Sequence, residues 1–437
     1  MRDILFTAVL LGTLPVCLVN PYFGILAYVW VGLMNPHRFV YQLSHFPVAL
    51  AFAVATVFGM VIRARYGRFP VRTETLLILV LFCYTTVTSM LALGPDAWSE
   101  WDSLGKILLM SVVAAMLLQT RVRLNQLVFT MMASIAFFGV KGGLFSILTK
   151  GNYEVFGPPG SFIEGNNELA LAELMVLPLV IYFIRQATVG WRRLALKATF
   201  VLTTVSIIFS YSRGAFVAFG GLALVMAWRS RYRFRALTAA AVVGTLVVLF
   251  APTAWTTRMQ TIQTYQKDPS AMGRINAWYF AWNLASSRPI GGGFHAFTPE
   301  LFLRYAPNPS DYHDAHSIYF EVLGEHGFPG LAIFLSLMAA SLLRLQRLRM
   351  VTKREPEWKW VRDLAEMLQC SIVAYALAGA FLGLAYFDLY YYIVIAGVLL
   401  HVVYVTEKRT AAVAAVAPEP EPESEPAWRG VPAPRPA

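Results

Sequence analysis

A histidine and several glycines stand at the mouth of a long apolar segment, where ionisable groups are rarely placed for stability alone. His316-Ser317 is followed by nine residues and then by Gly327-Phe328-Pro329-Gly330. Histidine titrates near neutral pH, so an imidazole at this position can take up or release a proton during a reaction. A lone histidine at a helix start is also common as a structural residue. The motif alone therefore leaves both roles open.

Arginines on either side of this motif can supply positive charge. Arg213 lies in Ser210-Tyr211-Ser212-Arg213-Gly214, a turn of small residues between two apolar segments. The segment 253–315 carries five further basic residues against few carboxylates, namely Arg258, Lys267, Arg274, Arg288 and Arg304. A guanidinium binds phosphate oxygens through paired hydrogen bonds and keeps its charge at any relevant pH. These residues indicate an anion site, although a helix-capping or solvated role would also account for them.

Two further groups of polar residues flank the apolar segments. Asp311-Tyr312-His313-Asp314-Ala315-His316 has ligand types that suit a divalent metal, but Asp is also a common helix cap, and we predict no metal. Lys141 and the amides of Asn166-Asn167 accompany Gly157-Pro158-Pro159-Gly160. They form either a structured turn with a capped helix start or a set of hydrogen-bond donors for a sugar. We assign Lys141, Asn166 and Asn167 to substrate binding.

Composition places these residues in a membrane protein. The 437 residues are 57% hydrophobic and 14% charged, and their mean hydropathy is +0.56, which no soluble globular domain matches. Apolar stretches long enough to span a bilayer lie near 45–62, 75–94, 105–120, 124–147, 168–184, 196–212, 214–228, 236–252, 316–343, 364–387 and 389–405. Residues 1–35 add one or two crossings, because Pro15 and Asn20-Pro21 interrupt their apolar run.

Basic clusters predict the orientation through the positive-inside rule. The clusters within 63–72, 185–197, 229–235 and 344–354 should all be cytoplasmic. A cytoplasmic N-terminus then makes residues 1–35 one broken crossing and gives about twelve transmembrane helices. The alternative is about thirteen, with the N-terminus outside. In the first arrangement Arg213, the segment 253–315 and His316 share the non-cytoplasmic face.

This topology divides the chain into four parts. N-terminal transmembrane helices occupy 1–252, a non-cytoplasmic segment with short helices 253–315, and C-terminal transmembrane helices 316–405. The tail 406–437 alternates Pro and Glu and is predicted to be disordered in the cytoplasm. The net charge of +11 lies in loops between apolar stretches, so we expect contact with the lipid bilayer and no nucleic acid. The three cysteines lie in apolar runs and predict no disulfide.

The charged residues have a chemical rationale if the ligand is a lipid-linked diphosphate. Diphosphate is a good leaving group, so sugar transfer from it needs positive charge on the departing phosphate more than a general acid. The reaction also needs a base to deprotonate the attacking hydroxyl. His316 can serve as that base near neutral pH.

The same residues resemble a known family. The pattern His316-Ser317-x9-Gly327-x2-Gly330 is similar to the signature of O-antigen ligases of the WaaL type, within the Wzy superfamily. Arg213 with Val217 resembles their Arg-x3-Leu motif with a conservative change. The stretches GPPGSFIEGNNELAL, SYSRGAF and HDAHSIYFEVLGEHGFPG look even closer to the branch of exosortase-associated O-glycosylation ligases.

The resemblance implies an all-α polytopic integral membrane protein of the GT-C glycosyltransferase type, with about twelve transmembrane helices and a long periplasmic segment. Its active site would face the periplasm from the bacterial inner membrane and use no cofactor. It would transfer a glycan from undecaprenyl diphosphate to lipid A-core oligosaccharide, with inversion. His316, Arg213 and Arg274 match the catalytic residues, while Arg288 and His313 are further candidates for substrate binding.

Other activities stay open. The same donor serves protein O-oligosaccharyltransferases, which modify a protein hydroxyl, and O-antigen polymerases, which extend a glycan. A transporter or flippase is a third class, and it would spread charged residues through the depth of the bilayer. A ligase should instead group Arg213, Arg274 and His316 at one interface.

Overall fold

The computed structural model describes residues 2–39, 46–63, 66–230, 251–260 and 268–416, with the isolated positions 233–234, 237–238, 241, 244–245 and 266. Within these residues the chain forms helices joined by turns and loops, and no strand. The all-α prediction is therefore confirmed for the described part of the chain. Some predicted features lie outside the described residues. They are most of the span 236–252, Lys267, and the tail from residue 417.

The helices follow one another with short connections through most of the chain. In chain order they are α1 (Arg2–Val19), α2 (Pro21–Met34), α3 (Val48–Arg63), α4 (Thr73–Met90), α5 (Ala97–Leu117), α6 (Arg121–Leu148), α7 (Asn166–Gln186), α8 (Gly190–Ile208), α9 (Arg213–Arg229), α10 (Thr253–Gln260), α11 (Pro269–Ser287), α12 (Pro299–Tyr305), α13 (Ile318–Val351), α14 (Lys359–Ala378) and α15 (Asp388–Val416).

Six segments of the described chain are long and apolar enough to cross a membrane, as a multi-pass membrane protein requires. They are Thr73–Met90, Arg121–Leu148, Asn166–Gln186, Ile318–Arg354, Pro356–Phe381 and Asp388–Val413. Shorter apolar helices cover Thr7–Val19, Pro21–Met34 and Val48–Arg63. The total of about twelve crossings and the GT-C assignment stay predictions.

Several helix ends differ from the sequence-based expectation. The helix expected to start at Gly273 begins at Pro269, because the carboxylate of Asp268 caps it by accepting hydrogen bonds from the backbone nitrogens of Ser270 and Ala271. The stretch 364–387 is α-helical only to Ala378 and then turns before α15. The last helix continues to Val416, beyond the expected end at 405.

Helix α15 occupies the centre of the bundle. Tyr390, Tyr391 and Tyr392 are fully buried, and the helix packs against α5, α6, α13 and α14. A helix that is apolar on all sides is expected at such a central position.

Helices α6 and α8 approach closely because glycines of α6 face α8. A Cβ added at Gly143 would lie 2.1 Å from the Leu202 carbonyl oxygen. Just after the end of α8, the Ser210 carbonyl accepts a hydrogen bond from the amide of Asn166 at the start of α7 (2.7 Å). The turn that carries Arg213 is thereby attached to α7.

Helix α13 is broken at Gly327, the first glycine of the histidine signature. Gly327 adopts φ 64° and ψ −165°, a conformation that favours glycine. The segment 289–293 lies against the break, and the Gly293 nitrogen donates to the Glu325 carbonyl (2.7 Å). A Cβ at Gly327 would lie 1.8 Å from the Pro289 carbonyl oxygen. The signature glycine thus joins the segment after α11 to the middle of α13.

Gly327→Ala is expected to lower the stability of the fold by more than about 2 kcal/mol, since it adds backbone strain and a steric clash. The melting temperature of the purified protein in detergent measures this effect. Gly220→Ala is the matched control, because a Cβ there meets nothing within 4 Å and alanine favours the helix. Equal melting temperatures for Gly327→Ala and Gly220→Ala would contradict the expectation.

Candidate active site

Arg213 stands on the first turn of α9, and the residues before it determine its position. Tyr211 has a left-handed backbone conformation (φ 61°), and its hydroxyl donates to the Gly151 carbonyl (2.8 Å). Ser212 caps α9, its hydroxyl accepting from the Ala215 nitrogen (3.2 Å). The turn therefore presents the guanidinium at the start of the helix.

The Arg213 guanidinium forms an ion pair with Asp268, the residue that caps α11. Both side chains are mostly buried, with 18% and 15% of their surface exposed. The hydrogen bond from Arg213 lowers the pKa of Asp268, so this carboxylate stays ionised throughout the neutral range. The ion pair connects α9 to α11.

Two more guanidinium groups lie beside this pair. Arg258 on α10 donates from Nε to the Tyr211 carbonyl (3.1 Å), and Arg274 lies on α11. Arg213, Arg258 and Arg274 line a pocket of about 100 Å³, the basic pocket, together with the polar residues Asn167, Ser212 and Ser270. Burial, and then the charge of Arg213, lowers the pKa of Arg274, which still stays charged at physiological pH.

The Nε atom of Arg274 is buried and has no hydrogen-bond partner among the described residues. Burying a donor without a partner costs free energy, so an incoming acceptor oxygen would relieve that cost. Phosphate oxygens are the acceptors that guanidinium groups match best. The basic pocket is therefore suited to a phosphate-bearing ligand.

His316 lies two residues before α13 and is positioned by α11. The Trp278 indole donates to the Ala315 carbonyl (2.8 Å), and its ring stacks on Phe320 with centroids 5.0 Å apart. The backbone of His316 is left-handed (φ 42°), which is uncommon for a residue other than glycine. Burial, and then the charge of Arg274, lowers the pKa of the imidazole. His316 is therefore neutral at pH 7 and able to accept a proton.

His316 also lines a second pocket of about 320 Å³, the acidic pocket. Its polar lining consists mainly of carboxylates, with the residues Glu100, Glu168, Asp314, Glu321, Glu325, His295, Tyr312 and Tyr386. Glu325 connects residues of this pocket, because its two carboxyl oxygens accept hydrogen bonds from the Tyr386 hydroxyl (2.6 Å) and the His295 backbone nitrogen (3.0 Å). Carboxyl oxygens accept hydrogen bonds from hydroxyl groups, so this pocket is suited to a hydroxyl-bearing ligand.

The two pockets adjoin each other. Asn167 lines the basic pocket, and the next residue, Glu168, lines the acidic pocket. Likewise, Leu382 lines the basic pocket and Gly383 the acidic pocket. His316 therefore stands where a cationic pocket meets an acidic pocket. This arrangement can hold an anionic leaving group and a nucleophilic hydroxyl on opposite sides of one reacting carbon.

Comparison with protein families matches two regions of the chain. Residues 198–335 match a family described as O-antigen ligase, and this range contains all three arginines of the basic pocket and His316. This region of the chain belongs to the O-antigen ligase family. Residues 1–188 match a family of unknown function (DUF5935). No curated protein matches the chain.

Both family regions contribute to the candidate site. The O-antigen ligase region supplies the guanidinium groups and His316, whereas the region 1–188 supplies Glu100, Asn167 and Glu168. The N-terminal region is thus part of the candidate active site. The finer assignment to the exosortase-associated branch stays a prediction.

The structure gathers some of the predicted site residues and separates others. Arg213, Arg274 and Asn167 line the basic pocket, and His316 lines the acidic pocket. His313 lies near His316, but its Nε2 atom is 2.9 Å from the Asp311 carboxylate. Among the described residues, no group of three or more His, Cys, Asp or Glu is placed to hold a metal ion.

Asn166, Lys141 and Arg288 line neither pocket. The buried amide of Asn166 is used in the hydrogen bond to Ser210, and Lys141 is exposed on α6, 6.0 Å from the Phe39 ring. Arg288 follows α11 and donates to the Leu91 carbonyl. Arg288 lies fourteen residues after Arg274, which at 1.5 Å per residue corresponds to roughly 21 Å along the helix.

The carboxylates of the acidic pocket were not identified from the sequence. Glu321 and Glu325 carry a usable signal, because they lie four residues apart inside the nine-residue spacer of the signature and so share one helix face. Glu100 and Glu168 carry no such local signal. They reach His316 only through the packing of α5 and α7.

Two substitutions should move the pKa of His316 in opposite directions. Arg274→Gln removes a positive charge and should raise it, whereas Asp314→Asn removes a negative charge and should lower it. NMR titration of labelled histidine, with His316→Gln used to assign the signal, measures both shifts. Because a base must be unprotonated, activity that depends on His316 should fall only below pH 6.5, its ordinary pKa. Shifts of the same sign would contradict this electrostatic account.

Proposed function

We propose that this protein transfers a glycan from undecaprenyl diphosphate to lipid A-core oligosaccharide, on the periplasmic face of the bacterial inner membrane. The observation that carries the proposal is the grouping of Arg213, Arg258 and Arg274 beside His316. The match of residues 198–335 to the O-antigen ligase family supports the same reaction class.

In this proposal the diphosphate of the donor occupies the basic pocket. Negative charge grows on the diphosphate as the bond between the anomeric carbon and the phosphate oxygen breaks. Guanidinium groups fixed in advance stabilise that charge without reorganising. The diphosphate leaves as an anion, so the step requires no proton donor.

The acceptor hydroxyl enters from the acidic pocket, on the side of the anomeric carbon opposite the leaving group. His316 takes the hydroxyl proton while the new glycosidic bond forms, which inverts the configuration at that carbon. The resulting imidazolium lies near Asp314, whose negative charge favours it, while the charge of Arg274 opposes it. The opposing charge keeps His316 unprotonated before the reaction. This route uses neither a metal nor another cofactor.

Protein O-oligosaccharyltransferases and O-antigen polymerases would use the donor half of this site in the same way. They differ in the acceptor, so the basic pocket does not distinguish them. A flippase is less well supported, because Arg213 and Arg274 line one pocket and the charge of Arg274 acts on His316, which groups the three residues.

A reconstituted transfer assay with purified variants tests the proposal. His316→Ala and Arg213→Ala should each lower kcat/KM by roughly 10²- to 10³-fold, since they remove the base and a charge that stabilises the transition state. Arg304→Ala is the control, because Arg304 lies over Tyr305 (5.4 Å) and lines neither pocket. Excess chelator should have no effect. Wild-type activity in a folded His316→Ala protein would overturn the assignment of the base.

A further inference from the structure

A pocket of about 390 Å³, the distal pocket, lies between α4, α13 and α15. Glu74 on the first turn of α4 lines it. Near the other end of α4, the Thr88 hydroxyl shares a hydrogen bond with the His326 ring beside the break in α13 (2.7 Å). Thr88 lies fourteen residues after Glu74, which corresponds to roughly 21 Å along a helix. The distal pocket is therefore far from the histidine signature, and it shares no lining residue with the basic or acidic pocket.

The distal pocket has an excess of positive charge. Arg344 and Arg347 line it from one face of α13, and Glu74 is the carboxylate among the described residues of its lining. Arg344 forms an ion pair with Glu74, whereas Arg347 is exposed. Two guanidinium groups against one carboxylate leave one positive charge to balance. A phosphate group with a single negative charge would balance it, through the oxygen acceptors that guanidinium groups match best.

Two buried polar atoms of the same pocket have no hydrogen-bond partner within the described part of the chain. They are Oε2 of Glu74, whose side chain is 1% exposed, and Nδ1 of His401 on α15. The other oxygen of Glu74 accepts from Nε of Arg344. A carboxylate oxygen can only accept a hydrogen bond, and a buried acceptor without a donor costs free energy. The pocket is therefore suited to a ligand that carries a hydroxyl donor beside its phosphate.

Apolar side chains form the rest of the lining. Leu343 and Val351 are 60% and 56% exposed on α13, a helix apolar enough to cross a membrane. The Tyr404 ring is held edge-on against Trp358, with centroids 5.0 Å apart. An exposed apolar surface next to basic groups at a helix end suits a lipid, whose chain covers the surface while its headgroup meets the charge.

We propose that the distal pocket binds an anionic phospholipid with a hydroxyl-bearing headgroup, of the phosphatidylglycerol type. Its phosphate pairs with Arg347, a headgroup hydroxyl donates to Oε2 of Glu74, and an acyl chain lies along Leu343 and Val351. An ethanolamine headgroup also offers a donor, but its ammonium group would leave the positive charge unbalanced. The basic cluster 344–354 predicts that this lipid comes from the cytoplasmic leaflet. The inference does not depend on the proposed transferase function.

Native mass spectrometry of the full-length protein in detergent, with added dioleoyl phosphatidylglycerol, tests the proposal. Arg347→Gln should weaken binding of this lipid roughly tenfold or more, since it removes a charged hydrogen-bond donor. Because Arg347 is exposed, the melting temperature without lipid should not change. Arg354→Gln is the matched control, since Arg354 is also exposed, belongs to the same basic cluster and does not line the pocket. It should leave binding unchanged.

A comparison of ligands tests each part of the headgroup. Phosphatidylmethanol has the same charge but no hydroxyl, so it should bind roughly fivefold or more weakly than phosphatidylglycerol. Phosphatidylethanolamine should also bind more weakly, because it is zwitterionic. Glycerol phosphate without acyl chains should not bind at the same concentration, which would identify the lipid as the source of the phosphate.

Three results would overturn the inference. Equal loss of binding in Arg347→Gln and Arg354→Gln would mean that the lipid responds only to the general surface charge. Equal affinity for phosphatidylglycerol, phosphatidylmethanol and phosphatidylethanolamine would mean that the pocket recognises no headgroup. Binding of glycerol phosphate as tight as that of the lipid would make the site one for a soluble phosphate ester.

Discussion

The carboxylate of Asp268 connects the parts of the candidate site. One of its oxygens caps α11, and the other pairs with Arg213 at the start of α9. Helix α11 then carries Arg274 into the basic pocket and Trp278 to the loop that ends at His316. A negative charge at a helix N-terminus is stabilised by the helix dipole, so capping and ion pairing reinforce each other. The leaving-group and base sides of the site both depend on this one helix.

The different polar groups of the two pockets give the site its direction. Guanidinium groups line one pocket and carboxylates line the next, and Asn167 and Glu168 mark the boundary within two consecutive residues. A diphosphate is attracted to the guanidinium groups of the first pocket, which favours one orientation of a donor that carries it. Because the region 1–188 supplies Asn167 and Glu168 at this boundary, both family regions take part in the candidate site.

Sequence alone predicted the apolar helices and the residues with a local signature, Arg213, Arg274 and His316. It did not predict how far apart two residues of the same segment lie when a helix separates them. Arg288 lies in the same basic segment as Arg274, but α11 starts at Pro269 and continues without a break to Ser287, so the two guanidinium groups face different parts of the protein. Lys141 illustrates the same limit, since apolar periodicity on α6 did not reveal that its side chain points outward.

The carboxylates were beyond prediction for a different reason. Glu100 and Glu168 come from helices far from His316 in the sequence, and only the packing of the bundle brings them to it. The signature glycine is a further case, because its role depends on Pro289, a residue that no spacing rule links to Gly327. Local rules predict the helices, but these contacts require the assembled fold.

The central claim is that a lipid diphosphate binds between the arginines next to His316. An experimental structure of the protein with undecaprenyl diphosphate bound tests it most directly. The account predicts both phosphates within hydrogen-bond distance of Arg213 and Arg274, with the first donor sugar position facing His316 and the acidic pocket. Phosphates bound elsewhere, with the basic pocket empty, would contradict it.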